Sequence, residues 1–250
     1  MSLSIGSRRF APQAWAAVLT AVLVAAFVSL GWWQVGRAHE KRAMMESFEH
    51  GAGTSVALDG AEIDQLPRFQ HVSASGQYEP ARQILLDNMP SSTGQPGYRV
   101  LTPLRRGAGE RILMVDRGWV PLGATRQQTP VVAVEAGQRT VAGRLDQLPV
   151  PGLRVGDAQA PGETGWPRVL NFPTQADVEA ALGQPVESRI LLLDASSPDG
   201  YQRNWRPSVG FPPERHLGYA IQWFALAVTL IVIFVALSLE SATGEGSKGT

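Results

Sequence analysis

The sequence predicts a membrane protein: two terminal transmembrane α-helices flank one extramembrane domain that is mostly antiparallel β, barrel- or sandwich-like, with a short helix. No charged side chain occurs from Phe10 to Gly36, and none occurs from Leu217 to Leu239. Between these runs lie short alternating or β-branched segments separated by turn residues. A helix crosses a bilayer core with about 20 mostly apolar residues, so both runs qualify.

The runs divide the chain into a tail (1–10), a first transmembrane helix (11–36), a β-rich domain (37–215), a second transmembrane helix (216–239) and a second tail (240–250). A signal peptide carries an apolar stretch of about 7 to 15 residues before a small-residue cleavage site. The first run is longer and ends in Gly31, Trp32 and Trp33, the pattern of an uncleaved anchor. Two spans place both tails on one side of the bilayer. Long domains translocate largely regardless of flanking charge, so the tails are expected in the cytoplasm and the domain outside.

After the first span, the mixed charges from His39 to His50 predict a solvated helical extension ended by Gly51 and Gly53. Val72 to Tyr78 and Gln83 to Leu86 follow as strands. Tyr98 to Leu104 and Arg111 to Val115 read as a hairpin around the polar, glycine-containing segment Arg105 to Glu110. Thr140 to Leu145 and Arg189 to Leu193 are further strands. Between those two, Thr174 caps a helix whose apolar stripe is Ala176, Val178, Ala180, Ala181 and Leu182, and Gly183 stops it. Pro149 to Pro167, with four prolines and four glycines, reads as an irregular surface loop.

A formal net charge of zero and a pI near 6.9 argue against the broad cationic surface that nucleic-acid binding needs. The absence of cysteine excludes disulfides, thiolate metal sites and Cys nucleophiles. His39, His50 and His71 lack metal-ligand spacing, and no Gly-x-Ser-x-Gly or Walker-type glycine loop accompanies them. The expectation is a protein that is not an enzyme.

Two clusters flank the domain. Gly31-Trp32-Trp33-Gln34-Val35-Gly36-Arg37 ends the first apolar run, and an aromatic belt with a snorkelling arginine is its ordinary explanation. His216-Leu217-Gly218-Tyr219-Ala220-Ile221-Gln222-Trp223 opens the second. At about 100° per residue, Tyr219 lies about 60° and Trp223 about 20° from His216, so the three share a helix face. An imidazole beside aromatic rings suits axial ligation of haem iron, with Arg37 or Arg215 meeting propionates; interfacial anchoring is the plainer alternative.

Taken with Gly97-Tyr98 through Thr102-Pro103-Leu104 and Arg117-Gly118-Trp119-Val120-Pro121, these clusters resemble, in order, the motifs of the Surfeit-locus-one family of cytochrome c oxidase assembly factors, in its bacterial branch. The resemblance spans essentially the whole chain. It implies a multi-pass protein of the bacterial inner membrane, with the central domain on the periplasmic side. It further implies transient binding of haem a, with His216 as the suspected iron ligand and Tyr219, Trp223, Trp33, Gln34 and Arg37 as cofactor-binding or subunit-contact residues. The implied partners are the oxidase catalytic subunit, the haem a synthesis enzyme and the lipid bilayer. A scaffold that stabilises an oxidase intermediate without haem is the alternative.

Overall fold

The computed structural model describes residues 3–5, 8–51, 53–58, 62–123, 129–151, 158, 165–207 and 210–241. Most of the loop read between Pro149 and Pro167 lies outside them. The chain falls into two compact units, one of Met1–Met45 with Ser208–Thr250 and one of Glu46–Pro207.

In the first unit, strands β1 (Leu3–Ile5) and β2 (Arg8–Phe10) precede helix α1 (Ala14–His50). The apolar run and the charged extension form one continuous helix of 37 residues, about 55 Å at the usual rise and so well beyond a bilayer core. The returning helix, α3, spans Pro213–Ser238 and runs into a last strand, β11 (Leu239–Ser241). Both helices are long and apolar enough to cross a membrane. Their apolar side chains remain largely exposed, for instance Val22 at 60%, Ile221 at 69% and Leu237 at 80%. Water would penalise such a surface, whereas hydrocarbon accepts it. The tails pair as antiparallel strands, Phe10 opposite Leu239.

The helix pair is organised by residue size. Gly31, Ala38, Ala220 and Ala227 are buried, and intermediate exposure recurs at Phe27, Gln34 and Val35 on α1 and at Leu217, Phe224 and Phe234 on α3. Spacings of three and four residues keep these positions on one face of each helix. Small residues let helices approach closely where no hydrophobic effect drives association. A Cβ on Gly31 would lie 2.5 Å from Cε1 of Phe224, so the phenyl ring occupies the space glycine leaves.

The second unit carries the six strands read from the sequence, β4 (His71–Tyr78), β5 (Ile84–Asp87), β6 (Gly97–Arg105), β7 (Ile112–Pro121), β8 (Gln138–Asp146) and β10 (Val186–Leu193), and two that were not, β3 (Val56–Ala57) and β9 (Arg168–Asn171). Helix α2 (Gln175–Leu182) is capped by Thr174 in a reciprocal box with Asp177 and stopped by left-handed Gly183, as expected. The sheet runs β3-β4-β8-β10-β7-β6-β5-β9. A further antiparallel pairing, Gln77 with Arg105 and Tyr78 with Leu104, joins β4 to β6. Strands β4, β8, β10, β7 and β6 therefore close a small barrel, of the two architectures expected.

Closure needs backbone to approach backbone. A Cβ on Gly76 would sit 2.6 Å from the carbonyl oxygen of Arg105, and one on Gly143 would collide with that of Leu192. The pairing is mostly antiparallel, but β10 runs parallel to β7, β9 to β5 and β3 to β4. Two cores use opposite faces of the same strands. Leu113, Val115, Leu191 and Leu193 pack with Val72, Leu104, Val141 and Leu145, whereas Ile112, Met114, Ile190 and Leu192 pack with Val178 and Leu182 of α2. Burial on both faces explains why β7 and β10 read as unbroken apolar runs rather than alternating ones.

Candidate functional site

The site is built where the chain enters α3. Pro213 opens the helix at a position where a missing N–H costs nothing, and Glu214 places negative charge in the first turn. That fixes His216 less than a turn into the helix, opposite α1. Its Nδ1 lies 2.7 Å from Oε1 of Gln34. Oε1 is an acceptor, so Nδ1 donates the hydrogen, and the neutral ring in this contact keeps its lone pair on Nε2. Nε2 has no hydrogen-bond partner among the described residues. The half-buried imidazole also meets the edge of Phe211, with centroids 6.3 Å apart, and the Arg215 guanidinium stacks on that same Phe211 ring at 4.7 Å.

The remaining predicted residues divide. Trp223, one face with His216, stacks on Phe27 of α1 with ring centroids 5.7 Å apart. Tyr219 lies at the flank of the helix contact and is 43% exposed. Trp33 is 57% exposed and makes no ring contact among the described residues, whereas its neighbour Trp32 meets Phe224 edge-on at 6.0 Å. Arg37 is held by Glu40 at 2.6 Å in a solvent-accessible pair, an interaction of the weak kind that another anion readily displaces. Gln34, Phe27, Phe211 and Phe224 thus contribute more contacts than Trp33 does. Sequence reasoning missed the three phenylalanines; the signal for Phe27 was its place one turn from Gly31 and for Phe224 its place between Ala220 and Ala227, whereas Phe211 precedes α3 and has no helical spacing.

A family model described as the SURF1 family matches residues 21–228, an interval that takes in Gln34, His216 and everything between them. The chain belongs to the SURF1 family. A SURF1-like protein of Rickettsia felis is 27% identical over 223 residues, covering 83% of this chain and 90% of the relative. One of Rickettsia conorii is 28% identical over 214 residues, covering 83% and 85% respectively. Surfeit locus protein 1 of Takifugu rubripes is 23% identical over 229 residues, with 83% and 90% covered. The SURF1 family match therefore bears out the resemblance read from the four motifs.

The two SURF1-like motifs of the β unit occupy neighbouring strands, Arg99 opposite Trp119. Arg117, 2% exposed, donates to the Asp199 carbonyl at 2.6 Å, to Gln83 Oε1 at 2.9 Å and to the Ala133 carbonyl at 2.9 Å. It also stacks on Tyr201 at 4.9 Å, so it ties three loops to the barrel. Gly118 adopts φ +111, and a Cβ there would come 2.8 Å from the Gln202 carbonyl oxygen. Both features hold the fold together. His71 pairs with Asp194 at 2.7 Å, and no group of three or more His, Asp or Glu able to hold a metal ion occurs among the described residues.

The donor set of the helix pair fits a haem better than a bare ion. An imidazole held through Nδ1 turns Nε2 toward a ligand position and in its neutral form is a competent axial ligand, and the second-sphere acceptor that orients such a ligand is present in Gln34.

Proposed function

We propose that this SURF1-family protein assists the assembly of cytochrome c oxidase by binding haem a at the α1–α3 contact, through His216 Nε2, and releasing it to the oxidase catalytic subunit. The observation that carries the reading is the Gln34–His216 hydrogen bond, which orients the imidazole and fixes its proton on Nδ1. Haem a supplies the iron that accepts the Nε2 lone pair. Trp223 and Tyr219 offer apolar faces beside it, Trp33 faces the surroundings, and Arg37 and Arg215 offer guanidinium groups to carboxylates.

A single neutral ligand suits delivery, because a cargo held by one imidazole exchanges more readily than one held by two ligands or a covalent link. The inner membrane, with the β unit on the periplasmic side, is the location in which this role operates. The haem a synthesis enzyme is the donor in this scheme.

The test is the absorption spectrum of the full chain, produced together with haem a synthesis enzymes and purified in detergent. The wild type is expected to carry a haem a band that His216→Ala lacks. Equal pigment in both, or none in either, rejects His216 as ligand. Oxidase subunits that still co-purify from cells unable to make haem a would then identify a haem-free scaffold.

A further inference from the structure

Outside the helix pair, the β unit has a cavity of about 270 Å³. It lies where β6 and β7 meet the segment after β10, and its walls include Met89, Arg99, Trp119, Gln202, Trp205 and Arg206. The walls are set before any ligand arrives. Trp119 donates its indole N–H to the Met89 carbonyl at 2.7 Å, and Trp205 donates its own to the Leu193 carbonyl at 2.7 Å. Gly97 leaves the space against which the Trp119 ring lies, since a Cβ there would be 2.5 Å from the indole. Trp119 and Gln202 bridge through their backbones at 2.8 and 3.2 Å. With their N–H groups satisfied, the indoles offer only apolar surface.

Charge in this cavity has one sign. Arg99 stacks on Trp205 at 5.0 Å and is ion-paired to buried Asp116, while its Nε is buried without an acceptor. Arg206 is exposed and has no carboxylate partner among the described residues. No Asp or Glu lines the cavity. Its volume is below the roughly 300 to 1,000 Å³ of pockets for drug-sized ligands, and matches one or two side chains with their backbone.

We propose that this cavity binds an acidic peptide segment of a partner protein, with an apolar side chain between the indoles and an adjacent carboxylate on Arg206. Guanidinium groups recognise carboxylates through paired N–H donors, and indole walls make such a pocket an anchor point of an interface. The proposal does not rest on haem binding and its test contains no haem.

The experiment titrates full-length protein in detergent with Ac-Phe-Glu-NH2, Ac-Phe-Gln-NH2 and Ac-Gly-Glu-NH2, followed by NMR of the peptide. Ac-Phe-Glu-NH2 is expected to bind roughly fivefold tighter than either control, since a charged hydrogen bond and a buried ring each contribute on the order of 1 kcal/mol. Arg206→Gln, a change at an exposed position, should erase the preference for Glu over Gln, whereas Arg111→Gln on another face should keep it. Equal binding of the three peptides, no binding, or an unchanged preference in Arg206→Gln overturns the proposal. Ac-Gly-Glu-NH2 binding as well as Ac-Phe-Glu-NH2 would reveal a site for anions only and overturns it too.

Discussion

Gln34 and His216 stand 182 positions apart in the chain and meet at 2.7 Å, joining the two apolar helices through a polar bond. A polar side chain in such a helix needs a partner, because hydrocarbon offers none. Their pairing also selects one imidazole tautomer.

Replacing Gln34 by Leu removes that selection while keeping the volume. Nitrogen NMR of His216 in the haem-free protein should then show a mixture of tautomers, where the wild type holds its proton on Nδ1. Haem a affinity should fall about 10- to 100-fold, the usual effect of losing a partner of a ligating histidine. Gln34→Glu, which restores an acceptor, should recover both signals. An unchanged tautomer in Gln34→Leu would refute the positioning role.

The close approach at Gly31 yields a second test. A valine there must displace the Phe224 ring, which is itself set against Trp32, so the helix pair should lose about 1–3 kcal/mol in thermal unfolding in detergent. Phe224→Ala added to Gly31→Val makes room and should restore part of the loss. If Gly31→Val melts like the wild type, the small-residue contact does not hold the helices.

Much of this architecture was legible in local pattern. The uncharged runs fixed both helices, the alternation of Val72, Ala74 and Gly76 fixed β4, and Thr174 and Gly183 fixed α2, because each signal acts within a few residues. Strand order did not follow, since the parallel pairing of β10 with β7 is a choice between distant segments with similar apolar content. Strand β9 was missed because Arg168–Asn171 is short and follows a proline- and glycine-rich stretch. Of the helix cluster, His216 announced itself by residue type. Gln34 acquired its role only when a partner 182 residues away was in place. Arg117 likewise acquires its role only from Gln83, Ala133 and Asp199, which lie far from it in the chain.

Arg117→Met should destabilise the β unit by about 3 kcal/mol, because it strands the Gln83, Ala133 and Asp199 oxygens without their charged donor. Arg117→Lys should fail as well, since a point charge cannot reach acceptors spread around a planar fork. Urea unfolding of the full chain in detergent, read from β signal, measures both. A lysine variant as stable as the wild type would show that charge alone, and not the fork, is needed.

Tyr78 supplies a pH dependence. Its side chain is 3% exposed, its hydroxyl has no partner among the described residues, and burial pushes the phenol up from 10.0 to about 12, against the opposing pull of Arg117. In the folded chain the phenol therefore keeps its proton at a pH where the unfolded chain releases it. The sign follows: this stabilisation is present in full below pH 10.0 and is lost as pH rises through about 12. A shift of that size corresponds to at most about 2.7 kcal/mol across the window. Tyr78→Phe cannot ionise, so its alkaline unfolding profile should be flatter by that amount. Near neutral pH the variant should match or exceed the wild type, by up to about 1 kcal/mol, because it removes a buried hydroxyl that lacks a hydrogen bond. Identical slopes for the two proteins between pH 10 and 12 would mean that the phenol ionises in the native state as freely as in the unfolded one.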